Sequence, residues 1–98
     1  MILEHVLLPV RAGEEAAFEA ALPAATPIIA SMRGFRSLSF TRCLERPSIY
    51  LLLVEWDALE DHTEGFRGSA EYQQWRAILH PFYDYLPDVE HFAPVHTA

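Results

Sequence analysis

Hydrophobic residues along the 98-residue chain change their spacing several times, and each change predicts a new element. Ile2–Val10 (ILEHVLLPV) is mostly apolar and β-rich, and it predicts a first strand. After a break, apolar residues from Phe18 onward recur every three or four positions, which is the period of a helix. Pro23 and Pro27 lie inside that helix, so we expect a kink or a break there, and Gly34 ends it.

The next segments predict a β-hairpin followed by a helix. Phe35–Leu44 alternates in polarity, Glu45–Pro47 forms a short turn, and Ser48–Trp56 returns as the partner strand. Asp57 then stands where a helix cap is expected, with an acidic residue three positions later. We expect this helix to run to about Arg67.

The last part of the chain predicts a further helix and a final strand. Ser69 is placed to cap a segment with one apolar and aromatic stripe that extends to Leu86, and Val89–Val95 forms the last strand. The order β-α-β-β-α-β is ferredoxin-like, with a four-stranded antiparallel sheet and both helices on one face. Residues 1–98 are expected to form a single domain of the α+β class.

Two strands are apolar on both of their faces, which one layer of helices does not explain. In the stretch IYLLLVEW, one face presents Tyr50, Leu52 and Val54 and the other presents Ile49, Leu51 and Leu53. An exposed apolar face of this size marks an interface. We therefore expect a homodimer formed through the open sheet face. The alternative, a C-terminal segment folded over that face, has only about three residues after Val95 available.

Charge and composition exclude several partners. The formal net charge is −7, and the seven basic residues are all arginines scattered along the chain, so nucleic acid and anionic membranes are not expected. No apolar run is long enough to span a bilayer. The single cysteine, Cys43, and the absence of a leader pattern favour the cytoplasm.

Local motifs add a family resemblance that covers nearly the whole chain. They are the strand end Glu55-Trp56, the acidic stretch WDALEDH, the pair Ser69 and Tyr72, Trp75, and the pair Gly34-Phe35. With these, the chain resembles the antibiotic-biosynthesis monooxygenase (ABM) domains of the dimeric α+β barrel superfamily. The resemblance implies a dimer whose facing sheets form a barrel. It also implies oxygenation of quinol-type or polycyclic aromatic molecules without metal or flavin, in which the deprotonated substrate itself reduces oxygen.

A second activity of the resembled family, haem degradation, fits this chain less well. Its members carry an Asn on the first strand, a Trp on the acidic helix and a His ten residues later. Phe66 and Arg76 stand at the latter two positions here, and the first strand has no Asn. His80 lies one helical turn beyond Arg76 on the same face, so a displaced axial ligand at His80 is the form that this activity would take here.

Histidines supply the candidate bases. His62 lies four residues before Phe66 on the same helical face and is a candidate catalytic base, the alternative being a solvated surface histidine. His5 lies on an apolar strand, so it is either hydrogen-bonded in the core or lines a cavity as the base. His91 on the last strand poses the same choice and could approach His5. No spacing supplies a third ligand, so we expect no metal.

Aromatic residues predict the substrate pocket. Phe66, Tyr72 and Trp75 would hold a flat aromatic ligand against the sheet, with His80 and His91 as further contacts, and core packing is their plainer role. The sequence thus predicts a small cofactor-independent monooxygenase. The alternative is a non-catalytic dimer that binds a small apolar ligand or serves as a structural module.

Overall fold

The elements of the fold follow the predicted order. The computed structural model describes residues 1–98. The elements are β1 (Ile2–Pro9), α1 (Glu15–Ala30), β2 (Phe35–Arg42), β3 (Ile49–Trp56), a π-helical segment (Asp61–Phe66), α2 (Ala70–Leu79), a 3₁₀ turn (His80–Phe82) and β4 (Val89–Phe92). The predicted ferredoxin-like α+β fold is confirmed.

The sheet places β1 and β3 at its centre. Its order is β2-β3-β1-β4, and all neighbouring strands are antiparallel. Glu4 of β1 lies opposite Val54 of β3 and opposite His91 of β4. Residues directly opposite each other in a sheet point to the same face, so these three side chains share one side.

Both helices cover the same face of the sheet. Phe18 of α1 and Trp75 of α2 pack against Phe40 of β2, with ring centroids 6.1 and 6.3 Å apart. Beneath them Leu52 and Val54 of β3 are buried. The predicted one-sided helical layer is therefore confirmed, and the core lies between it and the sheet.

The opposite side of the sheet, called here the open face, consists of the alternate residues of β1 and β3, among them Leu3, Leu7, Leu51 and Leu53. Leu7 is 44% exposed, and the other three leucines are partly exposed. Residues 93–98 after β4 are themselves exposed. The C-terminal segment therefore does not bury this face.

Helix α1 contains both prolines without interruption. It runs unbroken from Glu15 to Ala30, although a kink or a break was expected at Pro23 and Pro27. Both proline rings are exposed, whereas Phe18, Ala25 and Ile29 on the opposite side of the helix are buried. Packing of that buried side against the sheet offsets the loss of the proline hydrogen bonds.

The segment after β3 differs from the predicted helix. Asp57 does not cap it, because its N–H donates to the Gly34 carbonyl at 2.8 Å and its side chain pairs with Arg36. The chain turns later and forms a π-helical segment, in which the Arg67 N–H donates to the His62 carbonyl five residues earlier. Such wide turns occur frequently at functional sites.

The C-terminal elements are shorter than expected. Ser69 caps α2 as predicted, since its hydroxyl accepts the Tyr72 N–H at 3.1 Å. The helix ends at Leu79 instead of continuing to Leu86, and β4 ends at Phe92 because Pro94 cannot donate to a strand partner. None of the helices has the length and apolar character that crossing a membrane requires.

Candidate active site

A small cavity lies between the sheet and the helical layer. Its volume is about 50 Å³. The floor comes from β1, through Glu4, Val6 and Leu8. Opposite the floor, the π-helical segment and α2 contribute His62 and an aromatic wall. The cavity thus has one carboxyl group and one imidazole among largely apolar neighbours.

Glu4 is the buried acid of this cavity. The residue is 5% exposed, and its side chain accepts a hydrogen bond from Trp56 Nε1–H at 3.0 Å. Burial raises the pKa of Glu4 to about 7, although the Trp56 hydrogen bond and the positive charge of Arg67 act in the opposite direction. The carboxyl group is therefore poised to gain or lose a proton near neutral pH.

His62 lies against Glu4. It is 3% exposed and stacks on the Trp56 ring, with centroids 5.5 Å apart and 20° between the planes. Its Nε2 is 3.3 Å from Glu4 Oε1. Burial, with the nearby charges of Arg67 and His91, lowers the pKa of His62 to about 3. The ring is therefore neutral near pH 7 and free to accept or donate a hydrogen bond at either nitrogen.

His91 completes a chain of three polar side chains. Its Nε2 is 2.7 Å from His62 Nδ1, and burial together with Arg67 lowers its pKa. Glu4 lies at one ring nitrogen of His62 and His91 at the other, so the three side chains do not surround a common position that a metal ion could occupy. No group of three or more His, Cys, Asp or Glu residues is arranged to hold a metal ion.

His5 lies elsewhere. It belongs to the open face, where its ring packs edge-to-face on Phe92 at 5.5 Å and borders a shallow depression. His5 and His91 lie on neighbouring strands as expected, but Glu4, not His5, is opposite His91. The side chains of His5 and His91 therefore point to opposite faces, and their expected approach does not occur.

The predicted aromatic wall does line the cavity. The ring of Phe66 meets Tyr72 and Trp75 edge-to-face, with centroids 5.3 and 5.8 Å apart. Phe66 and Trp75 are buried and also belong to the core, which is their plainer expected role. His80 borders the cavity between Tyr72 and Tyr83, and burial lowers its pKa.

An outer chamber adjoins the cavity. Its volume is about 260 Å³, and it shares Arg67, Tyr72 and His80 with the inner cavity. It also contains Arg76. The three arginine–carboxylate pairs of the structure involve other arginines, so Arg67 and Arg76 have no carboxylate partner.

Two residues of the site are not singled out by the sequence pattern, Glu4 and Arg67. A signal for Glu4 does exist, because it shares its strand face with Val6 and Leu8, and a lone charge on a core face indicates a special role. For Arg67 no comparable signal exists, since an arginine after an acidic helix is usually solvated.

The fold and this geometry define a ferredoxin-like α+β domain with a buried carboxyl–imidazole pair beside an aromatic cavity. The sequence profile of the antibiotic biosynthesis monooxygenase (ABM) family matches residues 1–78. The chain belongs to this family, and the predicted resemblance is confirmed.

Individual relatives agree with the family. The uncharacterised protein YczJ of Bacillus subtilis (strain 168) is 53% identical over 95 residues, which cover 97% of this chain and all of that protein. A Bordetella bronchiseptica protein of the same family description is 34% identical, with a TM-score of 0.93 over 97% of both chains. SnoaB, a cofactor-independent oxygenase from Streptomyces nogalater, has a TM-score of 0.82 over 98% of this chain and 94% of its own. At 14% identity, SnoaB shows a shared fold only.

Proposed function

We propose that this protein is a cofactor-independent monooxygenase that acts on a quinol-type or polycyclic aromatic molecule. Membership of the ABM family supports a monooxygenase-like role at the level of the family. The observation that carries the finer proposal is the contact of Glu4 and His62, 3.3 Å apart, at the edge of an aromatic-walled cavity.

The reaction requires a base before it requires oxygen. A quinol reduces O₂ readily only after it loses a phenolic proton. One quinol and one O₂ give one hydroxyquinone and one water, so the substrate supplies all four electrons. The protein must then remove a proton and stabilise the resulting anion, which general base catalysis accelerates by roughly 10²–10⁴-fold.

The Glu4–His62 pair fits the role of base better than His62 alone. The pKa of Glu4 is about 7 and that of His62 about 3, so a proton given to the pair resides on Glu4. A catalytic group acts best when its pKa lies near the working pH. His5, the other predicted base, lies on the opposite face of the sheet and has no access to this cavity.

The two chambers indicate how a flat ligand would bind. Drug-sized ligand sites usually enclose about 300–1,000 Å³, and the inner cavity of about 50 Å³ is far smaller. A planar ligand would therefore lie across both chambers, with its reacting hydroxyl toward Glu4 and its ring near Tyr72. Arg67 at the junction places a positive charge where an aromatic anion would form.

Oxygen uptake tests the proposal. The protein is mixed with 1,4-naphthohydroquinone or anthrone, and the rate without protein is subtracted. Turnover should incorporate one atom of ¹⁸O₂ into the product and fall by roughly 10²–10⁴-fold in Glu4→Gln. Glu90→Gln, an exposed residue of β4, is the matched control and should retain the wild-type rate. Binding of these compounds without turnover would favour the non-catalytic alternative, and neither binding nor turnover would contradict both.

We also propose that two copies pair through the open face. Full burial of an apolar side chain such as Leu7, Leu51 or Leu53 contributes about 1.5–3 kcal/mol, so several of them favour association strongly. Sedimentation should give a dimer at micromolar concentration, and Leu51→Lys should give a monomer. Leu44→Lys, at an exposed residue outside the strands, is the control that should remain dimeric. A wild-type monomer would refute this pairing.

We propose a cytoplasmic location, supported by the free thiol of Cys43.

A further inference from the structure

His62 has a polar neighbour at each of its ring nitrogens. Its Nε2 faces Glu4 Oε1 at 3.3 Å, and its Nδ1 faces His91 Nε2 at 2.7 Å. Glu4 borders the cavity, while His91 lies on the outer strand β4 with its side chain partly exposed. We infer that Glu4, His62 and His91 form a reversible proton relay between the cavity and solvent. The inference rests on the proposed function, because the substrate supplies the proton.

His62 and His91 share a hydrogen bond, and the 3.3 Å contact between His62 Nε2 and Glu4 Oε1 can become a second one. Two proton arrangements are then compatible with these positions, and they differ in where the protons lie. In the first, the Glu4 carboxyl O–H donates to His62 Nε2, and His62 Nδ1–H donates to His91 Nε2. In the second, His62 Nε2–H donates to the Glu4 carboxylate, and His91 Nε2–H donates to His62 Nδ1. Passage between the arrangements moves a proton along the chain and requires only that His62 Nε2 and Glu4 Oε1 move closer than their present 3.3 Å.

The transfer balances at every atom. The Glu4 O–H bond breaks as the His62 Nε2–H bond forms, and the His62 Nδ1–H bond breaks as the His91 Nε2–H bond forms. His91 becomes an imidazolium at the solvent side, and Glu4 becomes a carboxylate that can take the second proton of a quinol. Reverse passage returns a proton to the cavity, where the reduction of O₂ to water consumes protons. No electrons move along the relay.

Burial and nearby positive charge disfavour a lasting imidazolium within the relay. Burial lowers the pKa of His62 and of His91, and the positive charge of Arg67 lowers both further. A lasting imidazolium at His62 is therefore unfavourable. The double transfer avoids one, because the ring gains a proton at one nitrogen as it loses one at the other. The other titratable groups that line the cavity are not hydrogen-bonded to the relay; they are Tyr72, His80 and Tyr83.

The first test observes the relay without any substrate. Nitrogen chemical shifts of histidine rings distinguish the two neutral tautomers and the imidazolium. In the wild type, the shifts of His62 and His91 should both change as Glu4 titrates near pH 7. In Glu4→Gln that shared transition should disappear, while Glu90→Gln should retain it. Identical histidine titrations in the wild type and Glu4→Gln would overturn the relay.

The second test measures turnover of 1,4-naphthohydroquinone by His91→Gln, whose amide forms hydrogen bonds but does not relay a proton. We expect kcat to fall about tenfold or more, less than the roughly 10²–10⁴-fold contributed by a direct proton acceptor, with KM unchanged. Added imidazole should restore part of the rate. His96→Gln, an exposed histidine outside the relay, is the control. An unchanged kcat, or a loss that imidazole does not restore, would refute the relay. If the wild type turns over no quinol, the proposed function fails and the nitrogen titrations alone decide the relay.

Discussion

Burial of Glu4 makes the stability of this protein depend on pH in a way that one substitution should remove. In the folded chain the pKa of Glu4 is raised from 4.5 to about 7, because burial disfavours the carboxylate. Between these two values the folded form retains a proton that the unfolded form has released. The stabilising contribution of the protonated Glu4 is therefore fully present below its unfolded pKa of 4.5 and is lost as the pH rises through 7.

The magnitude follows from the two pKa values. A tenfold change in a proton equilibrium is worth about 1.4 kcal/mol, so the rise to about 7 corresponds to about 3 kcal/mol. Solvent reduces this little, since the side chain of Glu4 is almost fully buried. Glu4→Gln keeps the shape and the acceptor for Trp56 Nε1–H but does not ionise. The free energy of unfolding of Glu4→Gln, relative to the wild type, should therefore increase by about 3 kcal/mol between about pH 4.5 and 8.

Urea unfolding of both proteins at several pH values measures this difference. Subtraction is needed because the lowered pKa of His62 acts in the opposite direction: its contribution is present above 6.5 and is lost as the pH falls toward 3. Both proteins retain His62, so subtraction removes most of that contribution. Glu90→Gln, an exposed control, should stay within about 0.5 kcal/mol of the wild type throughout. A difference between Glu4→Gln and the wild type that stays constant from pH 4.5 to 8 would refute the buried-carboxyl interpretation.

Three local substitutions give further outcomes. Trp56→Phe removes the N–H that stabilises ionised Glu4, so carboxyl carbon shifts should show the pKa of Glu4 raised further; a lower pKa would contradict this. Gly34→Ala should lower the free energy of unfolding, measured in urea, by about 1–3 kcal/mol or more. The reasons are that φ of Gly34 is +83° and that an added Cβ would lie 2.1 Å from Asp61 Oδ2. A variant as stable as the wild type would contradict this expectation. Ser69→Ala should cost about 1 kcal/mol by the same assay through loss of the α2 cap, and no loss would contradict the cap.

Local rules predict most of the fold from the sequence. Alternation and helical spacing are properties of consecutive residues, so the strands, the order of the elements and the cap at Ser69 follow from short stretches. The unbroken α1 does not follow from such rules. Its prolines oppose the helix locally, and only the packing of residues such as Phe18 against the sheet offsets them. Tertiary contacts of this kind join residues far apart in the sequence, so the pattern of a short stretch does not predict them.

Less of the candidate site than of the fold could be predicted from the sequence, because the site also depends on tertiary contacts. The pattern indicates His62 and the aromatic wall, because each stands at a helical spacing from its neighbours. The role of Glu4 depends on strand register, which places it opposite His91, and on a π-helical segment that brings His62 within 3.3 Å. Neither the register nor the wide helical turn is encoded in the spacing of apolar residues. The contact between distant parts of the chain therefore appears only in three dimensions.

Strand β1 contributes both to the proposed active site and to the open face through which two copies are proposed to pair. Its alternate residues point to opposite sides, so Glu4 faces the cavity while its neighbour His5 faces the open side. A shift of one residue in register would exchange these faces. Ionised Glu4 lowers stability by about 3 kcal/mol above its pKa, so folding alone does not explain a carboxyl at a position flanked by buried apolar side chains. A catalytic role in the cavity explains the carboxyl at this position, because deprotonation of a phenol requires a proton acceptor that titrates near pH 7.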